Sequence, residues 1–117
     1  MNRATRLCIT TLIAALAPTT ILIHAQAPQT IEIHAKRYSF EPSEITVTKG
    51  EPVTLRLISD DVPHSLVVKD LNINQTITKD HPATVTFTPQ ATGDFRGKCG
   101  RFCGSGHGSM LFTVHVK

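Results

Sequence analysis

Short segments in which apolar and polar residues alternate constrain the fold of this chain more than any other feature of its sequence. The pattern occurs in four segments, at residues 31–36, 53–57, 83–88 and 111–117. A period of two is typical of strands that bury one face and expose the other. Because no stretch follows a helical period for more than a turn or two, the sequence predicts an all-β chain.

Clusters of Pro, Gly and Asp separate the alternating segments. They occur at residues 49–52, 60–63 and 92–94, where such residues favour turns. Six or seven strands at this spacing are typical of a sandwich of two sheets. Residues 70–80 are less regular, and their pattern fits either a weak strand or a loop.

The first 27 residues have the pattern of an export signal. Arg3 and Arg6 precede an apolar run at residues 7–23, and an Ala-x-Ala cleavage pattern ends at Ala27. Pro18 interrupts the run, which is shorter than the roughly 20 apolar residues of a spanning helix. We therefore expect a cleaved signal over residues 1–27, no stable membrane span afterwards, and one domain over residues 28–117. The alternative is an uncleaved segment that anchors the protein to the membrane.

Charge and composition exclude nucleic-acid binding as the function. Cleavage would remove two arginines and no acidic residue, which lowers the formal net charge from +3 to +1. The chain has one tyrosine and no tryptophan. Nucleic-acid binding needs a basic surface and usually aromatic stacking platforms.

Two thiols, an imidazole and a thioether lie close together in residues 99–110. They belong to Cys99, Cys103, His107 and Met110, in a chain with only three cysteines and two methionines. Thiolate and thioether sulfur select copper among the common biological metals, and imidazole suits it too, whereas zinc and magnesium make no use of methionine. The segment therefore predicts a copper site.

The number of copper ions depends on Cys99. The spacing of Cys103, His107 and Met110 is that of a blue-copper loop, which carries one copper with two histidines, one cysteine and a weak axial methionine. His64 is the best candidate for the second histidine because it follows a turn and begins an apolar strand. A second thiol at Cys99 would allow two bridging thiolates to hold two coppers. One copper, with Cys99 as a spectator, is the alternative.

The full pattern, His64 followed by C-x3-C-x3-H-x2-M, resembles the binuclear CuA domain of cytochrome c oxidase subunit II, which is also found in nitrous oxide reductase. The segments at residues 61–65 and 93–99 are similar to the family's stretches before its first histidine and first cysteine. The resemblance extends over most of residues 30–117. It implies a cupredoxin fold, a Greek-key sandwich of two β-sheets.

The resemblance also implies a role for each site residue. Cys99 and Cys103 would bridge two copper ions, with His64 and His107 as terminal ligands. The weak ligands would be Met110, on the copper bound by His64, and the backbone carbonyl of Arg101, on the other copper.

The function implied by the resemblance is single-electron relay by an exported, periplasmic protein that is not itself an enzyme. Its partner would be a redox protein, such as a cytochrome or an oxidase complex. Arg101 stands where the family usually has glutamate or glutamine, and Arg96 and Lys98 lie near it in sequence. These residues predict a positive surface around the cysteines, which disfavours a strongly basic cytochrome as the electron donor.

Two alternative interpretations remain open from the sequence. The same ligands could serve copper storage or delivery, although the exposed methionine-rich or histidine-rich stretches common in carriers are absent. The two cysteines could instead form a structural disulfide, as exported proteins often do.

Overall fold

The computed structural model describes residues 17–23 and 27–117. Most of the predicted export signal, including Cys8, lies outside the described residues. Residues 17–23 are exposed and have no regular secondary structure. The only helices in the described ranges are two short 3-10 turns, at Lys69–Leu71 and His107–Ser109, and neither has the length or apolar character needed to cross a membrane.

The described residues form nine strands in two sheets. The strands are β1 (Gln29–Lys36), β2 (Ser39–Glu41), β3 (Glu44–Val47), β4 (Val53–Ser59), β5 (His64–Val68), β6 (Ile73–Ile77), β7 (Ala83–Phe87), β8 (Gly93–Cys99) and β9 (Leu111–Val116). One sheet has the order β2-β1-β4-β7, and the other has the order β3-β9-β8-β5-β6. The pairs β1–β4 and β3–β9 are parallel, and the remaining pairs are antiparallel. The prediction of an all-β sandwich of two sheets is confirmed.

The alternating residues define the core between the sheets. Ile33, Leu55 and Leu57 face inward from the four-stranded sheet, and Phe112 and Val114 face inward from the five-stranded sheet. All five are buried. The polar residues between them lie on the outer faces, as a period of two requires.

The structure has more strands than the six or seven predicted. Two of them, β2 and β3, are only three and four residues long and flank a turn at residues 42–43, so their alternation is too brief to recognise. The uncertain stretch at residues 70–80 contains β6, which pairs with β5 along the edge of the five-stranded sheet. Gln75 lies on the same face as the buried Ile73 and Ile77 and is half-buried, so a polar residue interrupts the apolar positions of this strand and weakens its pattern.

Strand direction brings the predicted metal ligands to one end of the five-stranded sheet. His64 begins β5, Cys99 ends β8, and Met110 immediately precedes β9. Because β8 is antiparallel to both β5 and β9, the end of β8 lies beside the starts of its two neighbours. The fold thus assembles the site from distant parts of the sequence.

Neighbouring residues of β9 offer a test of this packing. The ring of Phe112 is buried and meets that of Phe40 edge-on, with ring centroids 5.9 Å apart. Phe112→Ala is expected to lower the free energy of unfolding by about 3–5 kcal/mol, because it leaves a cavity between the sheets. Leu111, on the opposite face of the strand, is 61% exposed. Leu111→Ala should change stability by no more than about 0.5 kcal/mol in the same urea titrations. Equal losses for the two variants would contradict the assigned register.

Candidate metal site

Three buried side chains converge at the end of the five-stranded sheet. The ligand atoms of His64, Cys99 and Cys103 all lie within 4.8 Å of one another. The Cys99 Sγ atom is 4.0 Å from Nδ1 of His64. Both cysteines are free thiols. One metal ion or a pair of ions could therefore contact all three residues.

The loop between β8 and β9 adds the other donor atoms predicted from the sequence. Nδ1 of His107 lies 3.7 Å from the Cys103 Sγ atom, and Sδ of Met110 lies 3.4 Å from the same sulfur. The Cys99 thiol donates to the backbone carbonyl of Arg101 at 3.1 Å. All six residues predicted for the site thus lie together, with Cys99 and Cys103 at the centre.

Backbone hydrogen bonds hold this loop in shape. The N–H of Cys99 donates to the carbonyl of Met110 at 3.0 Å, which closes the base of the loop. The N–H of Gly100 donates to the Ser65 hydroxyl at 3.0 Å and so ties the loop to β5 beside His64. The N–H of His107 donates to the carbonyl of Gly104 at 3.1 Å, where a 3-10 turn begins. These hydrogen bonds therefore hold the loop in its shape without a metal ion.

Asp61 orients the imidazole of His64. Burial raises the pKa of this carboxyl group, but hydrogen bonds from the Arg37 backbone N–H, the His64 ring and the Val62 backbone N–H outweigh burial and lower the pKa from 3.8 to about 2. The ionised carboxylate can only accept, so Nε2 of His64, 2.7 Å from Oδ1, carries the ring proton. In the neutral ring, Nδ1 of His64 is then left with a lone pair on the side of Cys99.

The turn between β1 and β2 joins the two halves of the site. Arg37 donates its backbone N–H to Oδ2 of Asp61 and its Nε to the carbonyl of Cys103, each at 2.8 Å. A single residue therefore contacts both the segment that carries His64 and the loop that carries Cys103. The sequence alone gave no indication of this role, because Arg37 lies far along the chain from both partners.

Tyr38 packs its ring against two glycines of the loop. A Cβ atom added at Gly104 or at Gly106 would lie 2.4 Å from an atom of the Tyr38 side chain. Gly104 also has a positive φ of 139°, which disfavours any other residue there. The glycines of the loop thus permit a close contact with the opposite sheet.

The donor set fits copper. Two thiols, two imidazole nitrogens and a thioether combine soft and borderline ligands, and the thioether distinguishes the set from an ordinary zinc site. Burial, and then the neighbouring Cys99 thiol, raise the pKa of Cys103. Since a thiol binds metal as the thiolate, metal binding should release protons and strengthen as the pH rises.

The structure separates the three basic residues that the sequence grouped near the cysteines. Arg96 and Lys98 are exposed on the outer face of β8, where Lys98 pairs with Leu111 and Val67. Arg101 instead lies in the loop and lines a cleft together with Arg37. The alternation along β8 already places Arg96 and Lys98 on the face opposite Cys99, and this signal was available from the sequence.

Comparison with known proteins establishes the family. The family model of the cupredoxin-like domain matches residues 6–111. The chain therefore belongs to the family of cupredoxin-like domains.

Among known sequences, the chain is similar to subunit 2 of cytochrome c oxidase. It is 32% identical to that subunit from Thermus thermophilus over 80 residues, which cover 68% of this chain and 59% of the subunit. The chain thus spans less than two thirds of the length of this relative. The resemblance to subunit II seen in the sequence is confirmed.

Solved structures share the fold at low sequence identity. The periplasmic domain of cytochrome oxidase subunit II from Bradyrhizobium japonicum superposes with a TM-score of 0.72 at 17% identity, over 80% of this chain and 86% of that domain. Auracyanin A, a blue copper protein from Chloroflexus aurantiacus, superposes with a TM-score of 0.62 at 20% identity, over 78% of this chain and 100% of that protein. These similarities confirm the cupredoxin-like fold.

Replacing Asp61 should destabilise the metal-free protein in a pH-dependent way. Its pKa is lower in the folded state, so its stabilisation is present above pH 4 and is lost as the pH falls toward about 2. Asp61→Asn is expected to lower the free energy of unfolding by about 1–2 kcal/mol at pH 7, allowing for the solvent screening of a part-exposed carboxylate. The deficit should shrink between pH 4 and pH 3 in urea titrations. Asp70→Asn, at an exposed carboxylate, is the control, and an equal deficit in both variants would contradict the assignment.

Two glycines of the loop provide a matched test of the Tyr38 contact. The φ of Gly106 is −91°, which alanine adopts readily, so Gly106→Ala tests only the collision with the Tyr38 ring. We expect a loss of about 1–3 kcal/mol in the free energy of unfolding. A Cβ at Gly108 would meet nothing within 4 Å, so Gly108→Ala should leave stability unchanged or slightly raised. Thermal denaturation of the two variants compares them directly.

Proposed function

We propose that this chain is an exported copper protein that relays single electrons through a CuA-like pair of copper ions. Cys99 and Cys103 bridge the two ions, and His64 and His107 are the terminal ligands. Met110 and the backbone carbonyl of Arg101 are the weak ligands. In this proposal residues 1–27 are a cleaved signal, and residues 28–117 form the copper-binding domain in the periplasm.

The proposal rests on two free thiols at the centre of the site, each of which has the imidazole of a different histidine beside it. Nδ1 of His64 faces Cys99, and Nδ1 of His107 faces Cys103. A site for a single blue copper needs only one cysteine, whereas here both sulfurs lie among the other donors. Family membership and the similarity to oxidase subunit 2 favour the same metal and the same kind of function.

Copper supplies a one-electron couple whose potential the surrounding protein adjusts. The residues of the chain limit rearrangement when the charge of the site changes. Asp61 keeps the His64 ring in one orientation, and the hydrogen bond from Cys99 to Met110 keeps both ends of the loop together. Rigid support of this kind favours electron transfer over storage, because a storage site must open to release its metal.

The partner in this proposal is a redox protein, such as a cytochrome or a terminal oxidase complex. The domain would be an accessory electron carrier rather than a catalyst. The match to subunit 2 of the Thermus thermophilus oxidase supports that assignment, although this chain spans only 59% of that subunit.

Copper counting together with electron paramagnetic resonance tests the proposal. The loaded protein is expected to hold two coppers per chain and, when partly oxidised, to give the signal of one unpaired electron shared by both. Cys99→Ser should leave at most one copper with a localised signal, because only one thiolate bridge remains. Reversible reduction without loss of copper is expected for a relay, whereas release of the metal on reduction would indicate storage or delivery.

A second variant separates the two-copper site from a mononuclear blue site. If Cys99 were a spectator, Cys99→Ser would still bind one copper and would give the same electron paramagnetic resonance signal as the wild-type protein. Only Cys103→Ser would then abolish copper binding. If both cysteines are bridges, each variant loses the shared signal. A single tightly bound zinc in the wild-type protein would contradict the copper assignment.

A further inference from the structure

A cleft beside the metal site presents two arginine side chains to solvent. It has a volume of about 260 Å³, and Arg37, Arg101, Phe102, Val62, Pro63 and Cys103 line it. We call it the arginine cleft. Cys103 is buried and forms part of its wall, so the cleft lies directly beside the metal site.

Neither guanidinium group of the arginine cleft forms a salt bridge within residues 17–23 and 27–117. Among the other lysines and arginines in these ranges, Arg56 pairs with Glu32 at 2.7 Å and Lys36 pairs with Glu41 at 2.9 Å, whereas Arg96 and Lys98 form no salt bridge either. Arg37 uses its Nε to hold the Cys103 carbonyl, which orients a charged group in the cleft without neutralising it. The positive charge of the cleft is therefore left without a compensating carboxylate in its lining.

The nearby carboxylate of Asp61 does not fill this role. Its Oδ1 accepts from His64 and from the Val62 backbone, and its Oδ2 accepts from the backbone N–H of Arg37. The Asp61 side chain is 32% exposed, but neither guanidinium group of the arginine cleft forms a salt bridge with it. Asp61 orients the His64 ring instead. Both guanidinium groups can therefore bind an external anion.

An exposed aromatic ring lies beside the two arginines. Phe102 is 77% exposed, and its ring centroid lies 5.8 Å from that of His107. In sequence it falls between the two cysteines and next to Arg101. Aromatic and arginine side chains are enriched at the centres of protein interfaces, whereas other charged residues are depleted there.

A second cationic surface on the same sheet is less suited to an anionic partner. Lys69, Arg96 and Lys98 surround Leu111 on the outer face of β8 and β9. Asp70 lines the same depression, and Asp94 lies farther along β8. Asp70 offsets one of the three positive charges there, whereas the lining of the arginine cleft contains no acidic residue and includes the exposed ring of Phe102.

We propose that the arginine cleft binds carboxylate groups on the surface of the protein's electron-transfer partner. This inference rests on the proposed electron relay, and it identifies the partner as a protein with an acidic docking face. Arginine matches a carboxylate with two parallel hydrogen bonds, which fixes orientation as well as adding attraction. Phe102 then makes the apolar contact at the centre of the interface, directly outside Cys103.

Binding can be tested with a redox-inert anion. Hexacyanochromate(III) broadens the NMR signals of nearby amides, and in the reduced protein we expect broadening centred on Arg101, Phe102 and Gly104. Poly-glutamate should displace hexacyanochromate(III) from the cleft if the cleft binds carboxylates. Arg101→Glu should weaken binding about tenfold at low ionic strength, because it replaces attraction with repulsion, and the effect should shrink as salt is added.

Lys98→Glu is the matched control, with the same change of charge on the outer face of β8. We expect it to alter binding by less than about twofold. Broadening centred on Lys98 and Leu111, equal effects of the two charge reversals, or failure of poly-glutamate to displace the complex would each overturn the proposal.

Electron exchange distinguishes failure of the docking site from failure of the relay. The reduced, copper-loaded protein gives one electron to hexacyanoferrate(III), forming hexacyanoferrate(II), or to the cationic tris(phenanthroline)cobalt(III), forming its cobalt(II) complex. Added salt should slow the reaction with the anion and not the reaction with the cation. If the protein exchanged electrons with neither complex while hexacyanochromate(III) still broadened the amide signals around Arg101, the relay would be contradicted and the anion site would stay supported. Exchange with both at rates independent of salt and of Arg101→Glu would overturn the docking site alone.

Discussion

The hydrogen bond from the N–H of Cys99 to the carbonyl of Met110 is the contact on which the geometry of the site depends. It closes a loop that carries two cysteines, a histidine and a methionine, and it does so where β8 and β9 begin to pair. Because β5 lies on the other side of β8, the same closure brings the loop beside His64. Sheet pairing, which the apolar faces of the strands stabilise, therefore determines where the donor atoms lie.

Sequence was sufficient where the relevant signal is local. The alternation in β1, β4, β7 and β9 predicted the inward faces of these strands, and the spacing in the loop predicted a set of residues that the structure brings together. It failed where a contact depends on two distant segments. Arg37 and Tyr38 lie in a short turn with no unusual composition, and only the packing of one sheet on the other brings them to the loop.

Asp61 falls between these two cases. It lies three residues before His64 in a segment that resembles the family, so its position was visible in the sequence, but its role depends on the path of the turn. The same carboxylate accepts hydrogen bonds from Arg37 and from His64. It thereby links a histidine of one sheet to a turn of the other.

The five-stranded sheet and its loop supply every proposed ligand, whereas the four-stranded sheet supplies only contacts from outside, through Arg37 and Tyr38. A small sliding of one sheet over the other would thus alter the outer support of the loop while the donor atoms kept their mutual distances. Breathing motions of the sandwich would therefore reach the proposed ligands only through the contacts of Arg37 and Tyr38. In sequences descended from a common ancestor, the four-stranded sheet could then diverge widely, provided that its β1–β2 turn kept the same contacts.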